Sequence, residues 1–72
     1  MDLIEFKELV GLEDFDEYDV LIESALNRSI SKHIETEEDY EDKILFGTLC
    51  FLQQINPELV SSSIIKTGIS LP

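Results

Sequence analysis

The chain has 72 residues, with sixteen Asp and Glu against five Lys and Arg, a net charge of −11 and a pI near 4.1. That length allows one domain, and a hydrophobic fraction of 43% is too high for a disordered acidic tail. The charge disfavours binding to nucleic acid, which needs cations against phosphate, and adhesion to anionic membranes; it favours a basic partner surface, or a face that repels DNA or like copies.

The first predicted helix covers residues 2–10. Leu3, Phe6, Leu9 and Val10 recur at three- and four-residue steps, which is one helical face. Asp2 and Glu5 have capping-box spacing. Gly11 stands where a left-handed residue closes a helix, and Leu12 is placed to fold back onto it.

The second helix is longer. Tyr18, Leu21, Ile22, Ala25, Leu26, Ile30 and Ile34 form its apolar stripe. Asp14 or Asp16 is expected to cap it. Acids crowd its start, and Arg28, Lys32 and His33 lie toward its end, as the helix dipole prefers. Arg28 has no acid three or four residues before it, so it lacks a well-placed partner on its own helix.

Thr36 is expected to open a third helix carrying Tyr40, Ile44, Leu45, Phe46, Leu49, Cys50, Phe51, Leu52 and Ile55. Apolar residues on more than one face predict the most buried helix. Gly47 at its middle costs about 1 kcal/mol relative to Ala, which points to close approach of another helix. Asn56-Pro57 ends it, because the residue before proline avoids helical angles.

Beyond Pro57, residues 58–60 make at most one turn and residues 61–63 are a loop. Residues 64–71 are β-branched and nearly uncharged. The expected class is all-α: a small three-helix domain over residues 1–60 with an extended β-prone C-terminal arm over residues 61–72. A strand without a partner is a template for pairing with another chain; in a free monomer the same segment would be a mobile terminus.

Chemistry is sparse. Cys50 is the single cysteine, so no internal disulfide forms, and the chain reads as intracellular, or at least as not dependent on an oxidising compartment. Its apolar neighbours place it in the core. The single histidine, His33, reads as a surface residue near a helix end. No zinc-type ligand spacing occurs. Asp14 and Asp16 have the first step of a calcium loop, but Asp19 replaces the required glycine and Ala25 the closing glutamate. Residues 35–42 hold six acids in eight and read as a solvated face, with a weak cation site or a contact to a basic partner as the alternatives. An acyl carrier would need serine in an Asp-Ser-Leu setting, and phosphate loops need clustered glycines; neither is present. The start of the chain lacks the basic and apolar regions of a signal peptide. The uncharged stretch over residues 44–57 is too short and polar to span a bilayer. No cofactor or metal is expected.

The order of segments is more informative. A short glycine-closed helix precedes an acidic turn and a long helix around Leu21-Ile22-Glu23-Ser24-Ala25. A polar break then leads to a third helix around Ile44-Leu45-Phe46, and a tail carries Gly68 inside a β-prone stretch. This order resembles the head–tail connector (head completion or adaptor) proteins of long-tailed bacteriophages, over most of the chain. The resemblance implies a structural virion protein with no enzymatic activity. It implies a ring, dodecameric, bound under the portal protein, extending the DNA channel and docking a neck or tail completion protein. DNA would pass without specific binding and no membrane would be involved. Localisation would be the head–tail interface, after assembly in the host cytoplasm. This chain is shorter than is common in that family.

Within that expectation, Ile64, Ile65, Ile69 and Leu71 would engage a neighbour by strand addition. Arg28, Lys32 and Lys43 would pair across subunits with acids such as Glu37, Glu38 and Asp39. The alternative is an acidic inhibitor that mimics DNA toward a DNA-handling enzyme of the host. Clustering of the acids at helix starts, instead of along whole helix faces, counts against it.

Overall fold

The computed structural model describes the backbone of residues 1–67 and the side chains of residues 1–63. Four α-helices account for most of it: α1 (Leu3–Val10), α2 (Asp19–Ser31), α3 (Tyr40–Ile55) and α4 (Pro57–Thr67), with a 3₁₀ turn at Asp16–Tyr18. There is no strand among the described residues. The all-α class therefore holds, with four helices where three were expected.

Helix α1 forms as its sequence dictates. Asp2 Oδ1 accepts the amide of Glu5 at 2.8 Å. Gly11 takes the left-handed conformation at φ 73°, and its amide returns to the Lys7 carbonyl. The amide of Leu12 bonds the same carbonyl at 2.8 Å, which turns Leu12 fully into the core. Leu9 is the exception in the predicted stripe and stays exposed.

The packing is cyclic: α2 lies on α3, α3 on α4, α4 on α1, and α1 on α2. One core fills the centre, from Phe6, Val10 and Leu12 through Ile22, Ala25 and Leu26 to Ile44, Leu49, Leu52, Leu59 and Val60. The last two come from α4. The segment expected as a turn, a loop and a β-prone arm is instead helical from Pro57 to Thr67. Its local cause is Asn56. That residue ends α3, and its Oδ1 accepts the Leu59 amide at 3.3 Å, so it caps the helix that Pro57 opens. Burying Leu59 and Val60 then outweighs the strand preference of the β-branched residues that follow. Residues 68–72 of the expected arm lie outside the described residues.

Two helix starts differ from expectation. The residues at the cap positions of the 3₁₀ turn and α2 are Phe15 and Tyr18, neither of which makes a side-chain cap bond; Asp16 and Asp19 reach across to Lys7. Thr36 does not open α3. The Glu37 amide bonds the Ile34 carbonyl at 2.9 Å and the Glu37 carboxylate accepts the Ile34 amide at 2.9 Å, closing a turn. α3 starts only after Asp39, which sits at φ 58° without a capping side-chain bond, a conformation Asp tolerates better than most residues. Ile34 falls in this connection and is 66% exposed.

Gly47 marks the α2–α3 crossing. A Cβ there would lie 2.5 Å from Ser29 Oγ. The Ser29 hydroxyl, buried, donates to the Ile44 carbonyl at 3.2 Å, and Thr48 Oγ1 donates to the same carbonyl at 2.7 Å. The expected close approach of two helices is therefore present, with a hydroxyl occupying the space glycine leaves.

Candidate interaction surface

The cations sort into different roles. Lys7 runs its stem through the interior and is 7% exposed. Its Nζ donates to Asp16 Oδ1 and to Asp19 Oδ1, each at 2.7 Å. Those two bonds, Asp16 first, hold its pKa above the usual lysine value, against the opposing pull of burial. This grip ties α1 to the start of α2 and engages two of the five acids of residues 13–19 internally.

Lys43 is also matched within the chain. Its Nζ donates to Glu37 Oε2 at 3.1 Å, and His33 Nδ1 lies 3.3 Å from the same oxygen. The Ile34 amide, then Lys43, then His33 lower the Glu37 carboxyl from 4.5 to about 2. Glu37 thus pins the α2–α3 connection. Of the residues expected to pair across subunits, Glu37 and Lys43 meet each other in one chain.

Arg28 and Lys32 meet no carboxylate among the described residues. They are one turn apart, Arg28 in the last turn of α2 and Lys32 at its C-cap, and both lie against one ring of α3. The Arg28 guanidinium carbon is 5.0 Å from the Phe51 ring centroid, and Lys32 Nζ is 4.7 Å from it. Each contact is worth about 0.5–1 kcal/mol at an exposed site. Phe51 is half-buried while both cations are exposed, so the ring sits against the charged groups themselves and both stay open to water. Cys50, expected in the core, is exposed beside it; the helix turns it outward while Leu49 and Leu52 face inward.

The opposite sign gathers at the start of α3. An open groove of about 540 Å³ is lined by Met1, Glu35, Asp39, Tyr40, Glu41 and Asp42. Glu38, also exposed, belongs to the same cluster. Among the described residues, Glu37 is the only acid of residues 35–42 in an ion pair. No group of three or more His, Cys, Asp or Glu side chains is arranged to hold a metal ion among the described residues.

Of the residues expected to engage a neighbour by strand addition, Ile64 and Ile65 lie in α4, whose backbone is already hydrogen-bonded within the helix. Ile69 and Leu71 lie outside the described residues. No helix among the described residues is long and apolar enough to cross a membrane. The four-residue spacing of Arg28 and Lys32 was legible in the sequence; their shared ring was not, because Phe51 belongs to another helix. No family model matches the chain, and no curated protein or solved structure shows significant similarity to it.

Proposed function

We propose that this chain is a structural virion protein of the head–tail connector kind, acting by assembly and not by catalysis. Copies form a ring under a phage portal, extend the DNA channel, and present a surface to the next neck or tail component. The observation that carries this reading is the division of charge on one small helical body. The described cations that escape internal pairing, Arg28 and Lys32, sit together on Phe51, while exposed acids gather at the start of α3. Separated charges of opposite sign suit contact between unlike surfaces of neighbouring subunits. An acidic remainder suits a wall along which DNA slides without sticking, since attraction to phosphate needs cations. The order of the first three helices, read as a resemblance, supports the same conclusion.

The test is to mix the purified protein with a candidate portal ring and image the product by electron microscopy. A second ring stacked coaxially on the portal is expected. A chain that neither co-purifies with any portal nor forms a ring on it would sink the reading.

The exposed acids Glu35, Glu38, Asp39, Glu41 and Asp42 also favour a second reading, an inhibitor whose carboxylates imitate phosphates. It would bind a DNA-handling enzyme in a salt-sensitive way. Changing Glu35, Glu41 and Asp42 to their amides would then abolish inhibition while leaving portal docking irrelevant.

A further inference from the structure

We infer that the Arg28–Phe51–Lys32 surface is the docking site for the acidic start of α3 of a second copy of this chain; the inference deepens the ring reading and rests on it. The surface is basic and aromatic on a chain of net charge −11. Its occupant is therefore acidic. The two cations are already held by the ring at 5.0 and 4.7 Å, so docking a carboxylate orders them little further, and a preorganised site binds better for that reason. Arg28 also offers a planar donor fork that matches a carboxylate.

The chain itself supplies the complement. In the first acidic cluster Asp16 and Asp19 are engaged by Lys7. In the second, Glu35, Glu38, Asp39, Glu41 and Asp42 remain outside the Glu37 ion pairs. Most of them line one concave groove, and every copy presents it. The basic surface and the acidic groove are different regions, so a contact between them is head-to-tail. Repeated by rotation, it closes into a ring; without closure, it runs on as a filament.

Charge exchange tests this with the full chain. One variant carries R28E and K32E; the other carries E35K, E41K and D42K. Circular dichroism checks that each is folded as the wild type is, and R28Q/K32Q serves as the milder control. Sedimentation velocity then measures association. The wild type is expected to associate, and each reversal variant alone to lose at least about tenfold in association constant. An equimolar mixture of the two should recover it, because each supplies the complement of the other. Unchanged association of R28E/K32E, failure of the folded mixture to recover, or a wild type that stays monomeric at all attainable concentrations overturns the inference. So does displacement of association by a single-stranded oligonucleotide that binds the wild type and not R28Q/K32Q. Portal docking is read separately: charge-exchange rescue without portal binding leaves this contact standing and removes the connector reading, and the converse removes only this contact.

Discussion

Three residues carry local arrangements whose consequences are measurable. Gly47 is first. An alanine there gains about 1 kcal/mol of helix propensity, but its Cβ would meet Ser29 Oγ at 2.5 Å. The serine must rotate away from the Ile44 carbonyl, and a buried hydroxyl without its acceptor costs about 1–3 kcal/mol. Gly47→Ala is therefore expected to destabilise by about 1 kcal/mol net. In a Ser29→Ala background the obstacle is gone, and the same change should stabilise; urea denaturation of the double-mutant cycle checks the reversal of sign. Glu37 is second. Its carboxyl is lowered from 4.5 to about 2 by the Ile34 amide first, then Lys43 and His33. A depressed carboxylate contributes stability that is complete above its unfolded pKa and is lost as pH falls through the folded one. Melting temperature should fall between pH 4.5 and about 2, and Glu37→Gln should flatten that part of the profile. Lys7 is third. Its raised pKa means that its contribution is complete below the ordinary lysine value near 10.5 and is lost as pH rises through the folded one. Lys7→Met keeps the buried stem and should melt above Lys7→Ala but below the wild type.

At the scale of elements, the fourth helix changes how the protein is held together. A domain near this size is marginal on one core. Three helices alone would leave part of the stability to assembly. Leu59 and Val60 alter that: both are buried, on a helix that packs against α3 and α1, so one copy closes its own core. Leu59→Ala should cost about 2–5 kcal/mol, a large share of the roughly 4–11 kcal/mol expected for a chain this long. Thermal melting of Leu59→Ala at low protein concentration is the check. A loss below about 1 kcal/mol would mean that α4 is not part of the cooperative unit. The helix ends divide by how local their causes are. Asp2, Gly11 and Asn56 act on neighbours within five residues, and the sequence placed all three boundaries. The starts of α2 and α3 were misplaced because Asp16 and Asp19 answer to Lys7 on another helix, and because Glu37 bends the chain where Thr36 looked like a cap.

For the whole molecule, charge is the governing quantity. Copies at −11 repel one another at long range, whereas the proposed contact acts at short range. Screening removes the first before the second: the Debye length is about 30 Å at 0.01 M salt, about 10 Å at 0.1 M and about 3 Å at 1 M. Association should therefore rise between low and moderate salt and fall again at high salt, as measured by light scattering. A monotonic fall would mean that net repulsion does not limit assembly. The same imbalance explains which cations remain available. Lys7 and Lys43 are consumed inside the chain, so among the described side chains Arg28 and Lys32 are the cations left without a carboxylate.

Composition and periodicity by themselves determined the helical class, the cap and close of α1, the core faces of α1 and α2 apart from Leu9 and Ile34, the close approach at Gly47 and the break at Asn56-Pro57. Each depends on spacing within a few residues, which a linear pattern contains. Only the tertiary structure decided that residues 57–67 are helical, that Cys50 faces outward, that Lys7 and Glu37 absorb acids and cations internally, and that Arg28 and Lys32 share Phe51. These depend on what lies opposite in space. Burial overrode strand propensity in α4, and charge pairing across helices, not along them, left Arg28 and Lys32 as a basic surface among the described side chains.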